Sequence, residues 1–174
     1  MGRILVGTSS WTDKTLIESG KFYPRTATTP EDRLRFYATQ FPLVEIDSSY
    51  YGIPTVDNAR RWVERTPTGF VFNIKAYRLF TRHQTPLVSL AKDIRAALGA
   101  DAKKNVYDKD LPPEITKELW RQFRDVLDVL RDGGKLGAVH MNTRAGTEAF
   151  TEAPGAASAV IARSPAPGAT VLGR

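Results

Sequence analysis

Cysteine is absent from this chain, which rules out disulfide staples and thiolate metal sites. Histidine is nearly as scarce. His83 and His140 are the only two, too few for a histidine-rich metal centre, and no metal site is expected. Long apolar runs are also missing: the N-terminus offers only Ile4-Leu5-Val6, far short of a signal-peptide core or a membrane span. A soluble, cytoplasmic protein with no membrane partner is the default reading. No glycine-rich phosphate loop follows the first strand, and no Ser/His/Asp spacing stands out, so neither a dinucleotide site nor a serine hydrolase is indicated. Nothing names a cofactor.

What is present is enough for one domain. The chain has 174 residues, 41% of them hydrophobic, sufficient to build a core. A net charge of +6 raises the question of an anionic partner. The basic residues are scattered, however: Arg60, Arg61 and Arg65, then Arg78 and Arg82, then Lys103 and Lys104, interleaved with Glu64, Asp101 and Asp108. A nucleic-acid footprint would gather on one face, so a solvated mixed surface is favoured over it.

Strands and helices alternate along the chain. Arg3–Thr8 reads as a first strand, followed by a long aromatic loop through Phe22-Tyr23-Pro24. Thr29-Pro30-Glu31-Asp32 carries helix-start signals, and Leu34, Tyr37, Ala38 and Phe41 give that helix an apolar stripe ending at Pro42. Leu43 to Asp47 then alternates, with Val44 and Ile46 on one face and Glu45 and Asp47 on the other. Thr55 caps a helix through Ala59, Trp62 and Val63. Gly69–Ala76 is a third strand, with Phe70, Phe72 and Ile74 opposite Val71, Asn73 and Lys75. Helical spacing resumes from Leu87 to Leu98 and from Ile115 to Leu130, joined by a polar connection over residues 101–110. Lys135–Val139 opens a fourth strand.

Repeated strand–helix alternation implies parallel strands joined by right-handed crossovers. A doubly wound sheet buries both faces of its strands in apolar runs. Here one face of each middle strand is polar, which favours an α/β, TIM-barrel-like (β/α) repeat. In a barrel, active sites form at the strand C-termini. On that scaffold Glu45, Asp47 and Lys75 are candidate catalytic residues, the carboxylates as general base and the lysine as electrostatic stabiliser. Trp11, Ser49, Tyr50, Tyr51, Thr81 and His83 fall in the adjoining loops as candidate ligand contacts. A plainer reading stays open beside this one: Lys75 simply neutralises buried carboxylates, the tyrosines form lid core, and His83 is a solvated loop residue.

Several segments recur together in one order: Gly7-Thr8-Ser9-Ser10-Trp11, Phe22-Tyr23-Pro24, Val44 through Tyr51 with Pro54, Trp62, Thr66-Pro67, Phe70 through Ala76, Thr81-Arg82-His83 and Lys135 through Val139. Jointly they resemble the YecE-like family, a domain of unknown function with a TIM-barrel-like fold, over about residues 3–139. The resemblance implies a barrel with a polar cavity at the strand C-termini, and no settled activity. Two departures stand out. Asp47 occupies a position where the family often has Asn. After Val139 the family strand continues through apolar residues to Gln and Pro, whereas this chain reads His140-Met141-Asn142-Thr143.

From Thr143 the composition shifts, and half of residues 143–174 are Ala, Gly or Pro. The expected organisation is a partial YecE-like barrel domain over 1–142 with about four strands, and a disordered tail over 143–174. The break in mid-strand is what a truncated gene or shifted reading frame produces, and self-association would then cover the open edges. Three functions follow as expectations. The first is an enzyme-like barrel binding a small polar ligand, a sugar or a phosphorylated compound. The second is nucleic-acid binding or phosphodiester hydrolysis. The third is an inactive truncated product.

Overall fold

The computed structural model describes residues 4–143 and 146–150. Strand β1 (Gly7–Ser9) leads through the short helix α1 (Lys14–Glu18) into α2 (Pro30–Gln40) and strand β2 (Leu43–Ile46). Helix α3 (Val56–Glu64) and strand β3 (Val71–Lys75) follow. Strand β4 (Thr85–Pro86), helix α4 (Lys92–Leu98) and strand β5 (Asn105–Val106) precede the long helix α5 (Pro113–Asp132). Strands β6 (Leu136–Thr143) and β7 (Gly146–Phe150) end the described chain.

The main sheet has the order β1-β2-β3-β6-β7; its first four strands are parallel and β7 is antiparallel to β6. Local chemistry explains the helix starts. The Thr29 side chain accepts from the Asp32 amide at 3.1 Å while Asp32 accepts from the Thr29 amide, with Pro30 in the first turn. Thr55 caps α3 through the Asn58 amide at 3.2 Å.

One apolar layer joins these helices to the sheet. Val44, Ile46, Phe72 and Ile74 are fully buried against Leu34 and Tyr37 of α2, Ala59 of α3, and Phe123, Val126 and Leu130 of α5. Each large apolar side chain sealed this way contributes about 1.5–3 kcal/mol. The helices therefore lie on one face of a sequentially ordered parallel sheet, an α/β arrangement consistent with part of a (β/α) barrel. The opposite face carries Glu45, Asn73, Lys75 and His140.

Two polar devices hold this layer in register. The buried Tyr37 hydroxyl donates to the Leu43 carbonyl at 3.1 Å and accepts from the Thr8 amide at 2.7 Å, stitching β1 to β2 from the helix side. The Lys135 ammonium is likewise buried, and its three donors go to the Val63 carbonyl, the Thr66 carbonyl and the Thr66 hydroxyl at 2.6–2.8 Å. A cation here also complements the carbonyl end of α3.

The β3–β6 pairing contains a bulge. Phe72 faces Leu136 and Ile74 faces Val139, so Gly137 and Ala138 together oppose the single residue Asn73. The Asn73 side-chain oxygen accepts from the Ala138 amide at 2.8 Å, satisfying a backbone donor that the bulge takes out of the ladder. Gly137 has no side chain at the point where a Cβ would overlap both Asn73 Oδ1 and Val71 Cγ1. One extra residue flips the faces of everything after it. Val139 and Met141 consequently pack on the apolar side, and His140 lands beside Lys75 on the polar side.

Several expectations are corrected. Asp47 is not in the strand but starts a 3₁₀ turn, Asp47–Tyr50. The helix expected from Leu87 starts only at Lys92, because Thr85–Pro86 is a strand and Leu87–Ser89 a 3₁₀ turn; Leu90 and Ile94 are buried all the same. The polar connection over 101–110 contains β5, which pairs antiparallel with β4. The fourth strand runs on past Val139, and Gly146–Phe150 is a strand within the stretch expected to lack order. Antiparallel pairing there rests on backbone hydrogen bonds, which need no side-chain period. The rest of the expected tail lies outside the described residues.

Replacing Gly137 by Ala should lower stability by about 1–3 kcal/mol in urea unfolding, the usual range for overpacking a tight site. A change within about 0.5 kcal/mol, typical of a surface position, would contradict the packing described for the bulge.

Candidate functional site

Strand register assembles the polar face. Ser9 lies beside Glu45, Glu45 beside Asn73, and Lys75 beside His140. Glu45 is at the centre of the group. Its Oε2 takes His140 Nδ1 at 2.5 Å, and its Oε1 faces Lys75 Nζ at 3.3 Å and the Ser9 hydroxyl at 3.5 Å. Lys75 donates a second, shorter contact to Asp47. The structure thus brings Glu45, Asp47 and Lys75 together and adds His140, which the sequence reading left out.

The charges perturb one another. Burial pushes the Glu45 carboxyl up, but the hydrogen bond and charge of His140, with the charge of Lys75, outweigh it and hold the group below the ordinary carboxylate range. Burial likewise pushes the Lys75 ammonium down. The bond to Asp47 and the charges of Glu45 and Asp47 overcome that, so Lys75 stays protonated above the ordinary lysine range.

His140 is 5% exposed. Because Nδ1 donates to Glu45, the neutral ring carries its lone pair on Nε2. That atom is buried and has no hydrogen-bond partner among the described residues. A cleft of about 320 Å³ runs along this side of the sheet, lined by residues 4–9, Leu43, Glu45, Asn73 and His140. A carboxylate-oriented imidazole with a spare nitrogen beside a cleft can accept or deliver a proton. Among the described residues no group of three or more His, Asp or Glu side chains is placed to hold a metal ion, and no helix is long and apolar enough to cross a membrane.

The expected ligand contacts divide. Trp11 is not at the mouth: it is buried in the apolar layer, edge-on to Trp62 and Phe72 at 5.7 and 6.5 Å, with its indole N–H on the Pro30 carbonyl. The chain turns back after Ser10, whose φ is 92°, and carries the indole under the helices. Ser49 is fully buried, its hydroxyl between the carbonyls of Ile46 and Lys75, where it ties the 3₁₀ turn to β3. Thr81 is also buried, bonded to the Arg78 carbonyl and to His83 Nδ1 at 3.0 and 2.9 Å. Tyr50, Tyr51 and His83 do cluster at the strand ends. The Tyr50 ring meets Tyr51 at 5.1 Å and His83 at 5.8 Å, and Tyr51 is 57% exposed.

Residues 5–152 match the family model described as "Protein of unknown function DUF72". The UPF0759 protein YunF of Bacillus subtilis (strain 168) is 33% identical over 105 residues, which is 60% of this chain and 32% of that protein. The chain thus spans about a third of that relative's length. Two crystal structures of a DUF72 family protein from Enterococcus faecalis V583 are each 22% identical, with TM-scores of 0.48 and 0.49. Each covers about four-fifths of this chain, which in turn covers 40% of them.

The Glu45 shift fixes the sign of a pH effect. A glutamate in the unfolded chain titrates near 4.5, and the folded value is lower, so the unfolded state binds more protons in between. The contribution of Glu45 is complete above that unfolded value and is lost as pH falls through the folded one. Asp32, Asp110 and Glu118 are also held low, so the test is the difference between wild type and Glu45→Gln. That difference should shrink as pH falls below about 4.5 in urea unfolding; a gap independent of pH would contradict the charge network.

Proposed function

The chain belongs to the DUF72 family of proteins of unknown function, and within it we propose a YecE-like (β/α) barrel protein that binds a small polar ligand beside Glu45 and His140 and acts on it by proton transfer. The observation that carries this reading is the buried Nε2 of His140, a residue that lines the cleft, which has no hydrogen-bond partner among the described residues. Leaving a buried polar atom without a partner costs about 1–3 kcal/mol, so its persistence calls for a reason. A ligand hydroxyl reaching Nε2 supplies one.

The roles follow from the contacts. Glu45 holds the imidazole by its Nδ1–H, fixes the tautomer and stabilises the imidazolium formed when Nε2 takes a proton. Lys75, between Glu45 and Asp47, pairs with both carboxylates and favours the ionised form of Glu45. Glu45 is therefore an orienting group, and the proton-transfer role expected of it passes to His140. Sugars and sugar phosphates are the first ligands to try, since their hydroxyls suit an imidazole and a carboxylate.

The surface supports this reading over a nucleic-acid footprint. Arg35, Arg60 and Arg121 each pair with a carboxylate on their own helix, and Arg65 pairs with Glu31. A basic stripe for phosphates would leave such cations unengaged.

The test is a titration of the ¹⁵N-labelled protein with a panel of monosaccharides and sugar phosphates, read at the His140 ring. A saturable shift of Nε2, weakened roughly tenfold or more in Glu45→Gln as expected for losing a supporting partner, is the expected outcome. A folded protein whose His140 ring responds to no member of the panel would contradict the proposal.

A further inference from the structure

The loop after β3 holds a cation that its surroundings do not explain. The acids near it are engaged: Glu45 and Asp47 with Lys75, and Asp108 with Arg82 at 3.9 Å. Arg78 is half-buried, and among the described residues its guanidinium has neither a carboxylate nor a hydrogen-bond acceptor. Its Nε–H is buried and unpaired. The backbone around it is firmly held, since the Arg78 amide donates to the Tyr50 carbonyl at 3.0 Å. The Arg78 carbonyl in turn accepts from the Thr81 hydroxyl and the His83 amide, each at 3.0 Å.

The shape of the group suits one kind of ligand. The guanidinium carbon lies 5.5 Å from the centre of the Tyr50 ring, over its face. The guanidinium is a planar fork of N–H donors, the kind of group that grips two oxygens of a phosphate or carboxylate. His83 stands against the same Tyr50 ring. Because Thr81 gives its proton to the Arg78 carbonyl, it accepts from His83 Nδ1–H, which leaves His83 Nε2 a bare acceptor beside the ring, suited to a ligand hydroxyl and not to the oxyanion itself.

We propose that Arg78, held over the Tyr50 ring, is a subsite for an oxyanion, the phosphate or carboxylate group of the ligand. This rests on the reading of the cleft given above and narrows its ligand class. Arg78 lies three residues beyond Lys75, past the C-terminal end of β3 and outside the lining of the cleft, so a ligand that engages both is an extended one, with its anionic group at Arg78 and its reacting hydroxyl at His140. A phosphorylated or carboxylated polyol has that form; a neutral sugar lacks the anchor.

The experiment is an NMR titration of the full chain with inorganic phosphate and, separately, with acetate at constant ionic strength, read at Arg78 Nε–H and the His83 ring. A saturable shift with either anion is expected, and the tighter of the two identifies the group. Arg78→Gln should weaken it roughly tenfold or more, the scale of a lost charge-assisted bond. Arg78→Lys, which keeps the charge but loses the fork, should fall between wild type and Arg78→Gln, with an unchanged thermal midpoint. His140→Gln should leave anion affinity intact. Absence of a saturable shift with both anions, unaltered affinity in Arg78→Gln, or an equal loss in His140→Gln would each overturn the subsite. Anion binding at Arg78 together with a His140 ring silent to every member of the sugar and sugar-phosphate panel would support the subsite while removing the cleft reading.

Discussion

A single hydrogen bond, from the Ala138 amide to the Asn73 side chain, sets the chemistry of the polar face. It accompanies one extra residue in β6, and that residue decides on which side of the sheet the rest of the strand presents its side chains. With unbroken pairing, Val139 would fall next to Lys75 and His140 would face the helices. That would put an imidazole into an apolar layer and a valine into a charged cluster. The bulge avoids both, and Gly137 is the residue that leaves room for it.

The charge cluster follows from this geometry. Two carboxylates close together on a half-buried face repel each other and resist ionisation. Lys75 between them, and the His140 Nδ1–H on the far oxygen of Glu45, turn the arrangement into a connected chain, Asp47–Lys75–Glu45–His140. The pairing neutralises buried charge, as the plainer reading of the sequence requires. It also orients an imidazole, which neutralisation alone does not need, and leaves a nitrogen that nothing in the described protein occupies.

Much of this was legible in the sequence because it is written in periods. The alternation of Val44 and Ile46 with Glu45, and of Phe72 and Ile74 with Asn73 and Lys75, gave the two faces and the meeting of Lys75 with Glu45. The 3.6-residue stripe from Leu119 to Leu130 gave the long helix. His140 was missed because a bulge breaks the period. Lys135–Val139 opens the strand, the apolar run stops there, and only a count that inserts one residue at Gly137 carries the face pattern on to His140. Gly137 followed by Ala138 opposite an Asn was the available signal. Trp11 was misplaced for a different reason: a loop residue's direction depends on the turn it follows, here the positive φ of Ser10, which composition does not encode. Ser49 and Thr81 are small polar residues whose hydroxyls are consumed by backbone carbonyls, a use the sequence does not distinguish from ligand contact.

The central claim is that the bulge delivers His140 to Glu45 in a defined tautomer. Its most direct test is the long-range ¹H–¹⁵N spectrum of the imidazole at a pH where the ring is neutral, in wild type and in Asn73→Leu. The account predicts a proton on Nδ1 and a bare Nε2 in wild type, with that signature lost in the variant. A wild-type ring protonated on Nε2, or an Asn73→Leu ring with an unchanged Nδ1–H, would contradict it.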